Sequence, residues 1–168
     1  YHAEPNACEQ CGPMFTLQGT DGMVLSTGQD AIEQAKEHIQ NGSIIALKGV
    51  GGYHLVCDAL QEKAVQTLRH RKGRPRKPLA IMAGSLETAK QYVHISHTEE
   101  ELLLSPARPI VLLQKVTEHN TVAPSVAPGM ETLGILLTYA PYHYSLVPSN
   151  ALWVMTSANR SGDPVLYN

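Results

Sequence analysis

Nine consecutive residues, Arg69 to Lys77, carry six of the chain's thirteen lysines and arginines, in a protein whose formal net charge is -2. Like charges packed this closely repel one another and destabilise a fold unless an anion relieves them. Gly73, Pro75 and Pro78 punctuate the run. A long helix therefore cannot pass through it, and it reads as a rigid, kinked loop leaving a helix. Two readings of such a run are open: a solvated basic loop or non-specific nucleic-acid patch, and a built anion site. Far down the chain, the apolar run Leu152–Met155 leads into Thr156-Ser157-Ala158-Asn159-Arg160-Ser161-Gly162, a small, hydroxyl-rich loop. The two stretches together point to a phosphorylated, strongly anionic ligand.

At 168 residues and 43% hydrophobic content, the chain can bury one substantial core. Few aromatics with many glycines and prolines fit an α/β protein better than a helical bundle. No apolar run reaches the roughly 18 residues of a membrane span, and no signal-peptide pattern opens the chain. Three cysteines are too few for a disulfide scaffold, so a cytoplasmic location is expected. The chain starts at Tyr1 and stops soon after the hydroxyl-rich loop, so both ends are expected to be cut from a longer protein.

Cys8-Glu9-Gln10-Cys11-Gly12 is a CxxC knuckle, the spacing with which two thiolates grip one zinc. A structural zinc needs four ligands and no second CxxC follows. Cys8 and Cys11 therefore read as half of a Zn2+ site shared with residues outside the chain. Two free thiols or a redox pair stay open. Cys57, in a strand pattern, is expected to be buried and inert.

Residues 1–29 read as a knuckle and linker with short strand structure around Met14–Leu17. Thr27 and Asp30 mark a helix start, Ala31, Ile32, Ala35 and Ile39 give its apolar stripe, and Asn41-Gly42 ends it. Ser43–Leu47 and Tyr53–Cys57 read as strands. Asp58 is expected to cap a helix bearing Leu60, Ala64, Val65 and Leu68, which delivers the chain into the basic loop. Leu79–Met82, Ile110–Leu113, Leu133–Leu137 and Leu152–Met155 read as further strands. Ser85 should cap a helix over 86–91, a second helix runs from Thr98 to Leu104, and Pro141 opens a third. Residues 118–130 read as a loop over a site. The uneven alternation predicts an α/β fold with a mixed sheet and flanking helices.

Lys48-Gly49-Val50-Gly51-Gly52 follows a strand, and glycines there let backbone N–H groups approach a phosphate. A plain glycine turn with an exposed lysine is equally open, because the run matches neither GxxxxGK[ST] nor GxGxxG. Lys72 and Arg74, two apart in an extended loop, should point the same way and reach one ligand together. An arginine can bind a phosphate oxygen pair bidentately. Arg69, at the end of the preceding helix, should matter much less. Ser157 and Asn159 share the same spacing and suit phosphate or ribose hydrogen bonds. His54 lies in a strand beside the glycines, either as a core histidine or as part of a site. The eight histidines form no HExxH, and no GxSxG elbow exists, which argues against zincin and serine-hydrolase chemistry.

These stretches, in this order, resemble the YrdC-like domain of the HypF carbamoyltransferases of [NiFe]-hydrogenase maturation. The segments are Lys48 to Ala59, Arg71 to Pro78, Ser105-Pro106-x-Arg108-Pro109-Ile110-Val111-Leu112, and Thr156 to Gly162. Tyr1 to Pro13 is similar to the last half of that family's second zinc knuckle. The resemblance implies a knuckle and linker over 1–18 and a YrdC-like nucleotide-binding domain over 19–168, with a twisted sheet and a basic concave face, expected to stop before the domain does. It implies that the KxR and SxN residues, here Lys72, Arg74, Ser157 and Asn159, hold ATP, with Lys72 and Arg74 catalytic. Lys48, His54, Lys77, Arg108, Thr156 and Arg160 are expected to complete the nucleotide site. Mg2+ would bridge phosphates. Carbamate, from carbamoyl phosphate, would attack the α-phosphate to give carbamoyl-adenylate and pyrophosphate, for transfer to HypE. A double-stranded RNA or tRNA-binding module, and a threonylcarbamoyl-adenylate synthase, are the alternatives. The net charge disfavours the first, and the Gly-Gly-Tyr53-His54-Leu55 run departs from the second's strand motif.

Overall fold

The computed structural model describes residues 14–49, 51–118 and 120–159. The expectations for Cys8, Cys11 and Arg160 lie outside them. A hairpin of β1 (Thr16–Gln18) and β2 (Val24–Thr27) leads into α1 (Gly28–Gln40), and then β3 (Ile45–Gly49) and β4 (Gly52–Asp58) form a second antiparallel pair. There follow α2 (Glu62–Lys72), β5 (Ala80–Ala83), α3 (Leu86–Lys90), α4 (His97–Leu104) and β6 (Val111–Gln114). A 3₁₀ turn (Pro124–Val126), β7 (Thr132–Leu137), α5 (Pro141–Leu146) and β8 (Leu152–Ser157) complete the order. Six strands make one sheet in the order β3-β4-β8-β5-β7-β6, antiparallel except for the parallel pair β5 and β7. The expected mixed α/β sheet with flanking helices is the fold observed.

β8 is the middle of this sheet, and its near-continuous apolar sequence follows from burial on both faces. Leu152 and Val154 join Cys57, Ile81, Ile135 and the apolar side of α2 in the larger core. Trp153 and Met155 point the other way, onto Ile32 and Ile39 of α1 and Leu146 of α5. Cys57 is fully buried, and that burial, helped by the charge of Asp58, pushes its thiol up to about 12. It is buried, as expected.

Three local expectations are corrected. The helix before the basic loop runs on to Lys72, so Arg69, His70, Arg71 and Lys72 are its last turn. Cations there complement the exposed carbonyl end of the helix, and Gly73 at φ 59 supplies the left-handed cap. Asp58 does not cap that helix, which starts at Glu62. Its carboxylate instead accepts from the Leu60 N–H at 2.8 Å, and Leu60 is left exposed ahead of the helix. Among the described residues of 118–130, none lines the cavity described below. Ala123, Val126 and Ala127 are buried, because the segment packs its small apolar side chains against α2. The Ser85 cap is present, with the hydroxyl accepting from the Thr88 N–H at 3.1 Å. A capping box that the sequence reading passed over, Ser96 with Glu99, starts α4.

Candidate functional site

On the face that carries α1 and α5, the sheet is left uncovered near the end of β8, and a cavity of about 330 Å³ opens there. His54, Met155, Thr156 and Ser157 come to it from β4 and β8. Ala80, Leu136, Tyr139 and Ile110 supply its apolar walls, and Arg74 leans in from the basic loop. The room depends on small residues. Ile110 lies over Gly134, where a Cβ would stand only 3.1 Å from its Cγ2, and Gly134 is the register partner of Ala80.

Arg74 is half-buried. Its Nε donates to the Lys77 carbonyl at 3.3 Å and its Nη2 to the Pro78 carbonyl at 2.5 Å. Lys72 is only 4% exposed, and its ammonium donates to the carbonyls of Ser157 and, at 2.7 Å, Asn159. The two expected motifs are therefore brought together, though not as two side chains on one extended strand. Lys72 leaves the helix, Gly73 turns the chain, and only Arg74 lines the cavity. Ser157 donates its hydroxyl to the carboxamide oxygen of Asn159, so that loop is internally tied.

Arg69, expected to matter much less than Arg74, is buried and fully engaged with the main chain. The residue is 7% exposed, and its guanidinium donates to four carbonyls: Ser125, Val126 at 3.1 Å, Arg74 at 2.7 Å and Lys77 at 3.2 Å. Arg69, Lys72 and Arg74 are thus stabilised by backbone carbonyl dipoles, and among the described residues none has a carboxylate in salt-bridge contact. Burial lowers the pKa of all three, and the charge of Arg74 lowers those of Arg69 and Lys72 further. The Glu62 carboxylate acts on Arg69 in the opposite sense, whereas the carbonyl dipoles around Lys72 and Arg74 solvate these cations without cancelling their charge, which leaves it available to an anion.

His54 faces the cavity beside Ser157, its register partner, and burial holds its pKa below the ordinary histidine value. Behind it, His143 is 1% exposed, and its Nδ1 accepts from the N–H groups of Ala140 at 3.2 Å and Tyr139 at 3.4 Å. Its ring meets Tyr139 and Tyr142 edge-on. Burial, then the nearby His54, brings its pKa down to about 4. The folded value lies below the unfolded one, so this stability is present above about pH 6.5 and is lost as pH falls toward 4. The expected size is on the order of 3 kcal/mol. Urea unfolding at pH 7 and at pH 4.5 should show a steeper acid loss in the parent than in His143→Gln. Equal losses would refute the assignment.

The remaining expected residues lie elsewhere. Lys48 pairs with Tyr53, one position out of phase with Leu47 and His54. Strand alternation therefore puts it on the opposite face, where its ammonium sits 5.7 Å from the Tyr53 ring centroid. Lys77 is exposed and contributes its backbone carbonyl to Arg69 and Arg74. Arg108, at φ 44, donates to the Leu103 carbonyl at 3.1 Å and does not line the cavity. Thr156 is 7% exposed and does line it. Sequence reasoning missed Ala80, Ile110, Leu136, Tyr139 and Arg69. The available signal was the small pair Ala80 and Gly134, readable only once the strands are in register.

A family model described as telomere recombination, that of Sua5, YciO and YrdC, matches residues 37–168. The chain is 41% identical over 165 residues to carbamoyltransferase HypF of Rhodobacter capsulatus, which covers 98% of this chain and 21% of that protein. Among solved structures, HypF of T. kodakarensis superposes with a TM-score of 0.85 at 44% identity, covering 99% of this chain and 22% of the other. Full-length HypF in its phosphate- and nucleotide-bound form gives a TM-score of 0.82 at 41% identity, over 100% of this chain and 22% of that one. The chain thus spans about a fifth of the length of these relatives.

Proposed function

Because the chain belongs to the Sua5/YciO/YrdC family, and matches one stretch of HypF carbamoyltransferases along almost all its length, we propose that its cavity binds ATP and adenylates carbamate. The observation that carries this reading is Arg74, held by carbonyls with no carboxylate in salt-bridge contact among the described residues, lining an apolar-walled hollow with the carbonyl-solvated Arg69 and Lys72 buried behind it. The nucleotide- and phosphate-bound state of a HypF relative supports the same reading.

In the reaction, a carboxylate oxygen of carbamate attacks the α-phosphorus in line. The bond from that phosphorus to the bridging oxygen breaks, and pyrophosphate leaves with the electron pair. Such a transfer needs positioning and charge neutralisation more than covalent chemistry. Arg74 is the permanently charged residue among those lining the cavity and is assigned to the departing phosphates, while Ser157, and Asn159 bonded to it, are assigned neutral contacts. Lys72 sets the Ser157–Asn159 loop. His54, kept neutral, can donate one hydrogen bond and accept another without repelling a cation. Among the described residues the lining includes no carboxylate; Mg2+ would enter with the nucleotide and supply charge neutralisation there.

The steps on either side, release of carbamate from carbamoyl phosphate and transfer to HypE, are proposed for other parts of a HypF-type protein acting in the cytoplasm. The zinc proposal rests on Cys8 and Cys11 alone, and residues 1–18 and 19–168 are proposed as knuckle and nucleotide domain. Among the described residues, no helix is long and apolar enough to cross a membrane.

Calorimetric titration tests the central claim. ATP with Mg2+ should bind at one site, more weakly as salt rises, and should displace any bound double-stranded RNA. RNA binding that ATP leaves untouched, with no heat from ATP itself, would favour the nucleic-acid reading instead.

A further inference from the structure

We propose that Arg69 is a positioning residue that sets Arg74 for the nucleotide, an inference that rests on the ATP reading above. Arg69 stands in the last turn of α2 and reaches two separate pieces of chain. One is the loop that carries Arg74, gripped at the carbonyls of Arg74 and Lys77. The other is the 3₁₀ turn, gripped at the carbonyls of Ser125 and Val126. Four of the five guanidinium N–H directions are thus taken up by the main chain.

The Lys77 carbonyl is shared, since it accepts from Arg69 Nη1 at 3.2 Å and from Arg74 Nε at 3.3 Å. The two guanidinium groups are therefore fixed relative to each other through one oxygen. The 3₁₀ turn is itself anchored. Glu62, at the opposite end of α2, accepts from both the N–H and the hydroxyl of Ser125, and the Leu79 N–H donates to the Val126 carbonyl at 2.9 Å. The result is a closed frame of helix, turn and loop, with Arg74 on its inner side.

The frame answers a physical problem. Two cations this near repel, and a free loop would let Arg74 swing out into water. A planar fork can hold four carbonyls at once, whereas an ammonium on a flexible stem cannot reproduce that set. Arg69 thus keeps Arg74 at the cavity against its own repulsion, ready for an anion that removes the conflict.

The test measures ATP affinity and melting temperature for the full chain, Arg69→Lys, Arg74→Ala and the double variant. Arg69→Lys keeps the charge and loses the fork, and it should weaken ATP about tenfold, as expected for a displaced charge contact. In the Arg74→Ala background the same change should cost no more than about twofold further, because the residue it positions is gone. A role confined to stability would lower the melting temperature in both backgrounds and show no such coupling. Arg69→Lys that binds ATP like the parent, or a penalty that adds in full to that of Arg74→Ala, overturns the inference and leaves the ATP reading standing. A parent protein that does not bind ATP overturns both. Should Arg69→Lys fail to fold, Glu62→Ala takes its place. Loosening the turn from the far side should weaken ATP by about threefold, and unchanged affinity there counts against the frame.

Discussion

Arg74→Ala is expected to slow carbamate-dependent ATP–pyrophosphate exchange by about a hundredfold, the usual loss when one preorganised charge contact to a developing anion is removed. The side chain is held at the cavity by two carbonyls, on Nε and Nη2, which orient the guanidinium without cancelling its charge. Its contact with the phosphates strengthens as charge moves onto the departing pyrophosphate, so it lowers the barrier more than it tightens ground-state binding. The loss should therefore appear in the exchange rate at saturating ATP. Arg74→Lys should restore little, because an ammonium cannot hold both the loop carbonyls and a phosphate oxygen pair. Arg71 is exposed on the same helix turn, and Arg71→Ala is the control expected to stay near the parent rate. If Arg71→Ala fails and Arg74→Ala does not, the loop has been assigned in the wrong register.

Lys72→Met should separate function from stability. The ammonium is almost completely buried, is pinned by the carbonyls of Ser157 and Asn159, and has no carboxylate in salt-bridge contact among the described residues. Burying an ammonium is costly, and relief of that cost in an apolar chain of similar length offsets the two hydrogen bonds that the Ser157 and Asn159 carbonyls lose. The melting temperature of Lys72→Met should therefore stay close to that of the parent. The loop that carries Ser157 and Asn159 loses its tie to α2, however, and ATP affinity should fall by about tenfold or more. Paired thermal melts and ATP titrations decide the matter. A variant that is strongly destabilised yet binds ATP normally when folded would show that Lys72 serves the fold and not the site.

Much of this protein could be read before any fold was known. The stripe Ala31, Ile32, Ala35 and Ile39 marked α1, and all four are buried. Ser85 and Pro141 marked helix starts through the same chemistry the structure uses, a hydroxyl acceptor and a fixed φ. The apolar run before Thr156 marked the central strand. The concentration of cations in a chain of net negative charge indicated that an anion was wanted, and the meeting of residues 72 and 159 bears on the same point. Other features needed the strand register. Lys48 and His54 stand close in sequence, but their pairing phase puts them on opposite faces. The hollow exists only because Ala80 and Gly134 become neighbours across β5 and β7.

What the amino-acid sequence determined by itself was the set of side chains: which elements form, where charge accumulates, and which hydroxyl and amide groups accompany it. What only the tertiary structure decided was how those charges are held. Arg69 was expected to matter much less because it stands at the end of the preceding helix, yet its partners are the carbonyls of residues 74, 77, 125 and 126. Every residue carries such a carbonyl, so its presence is written nowhere in particular. Its direction depends on the path of the folded backbone, and a cation solvated by main-chain dipoles therefore becomes visible only when that path is known.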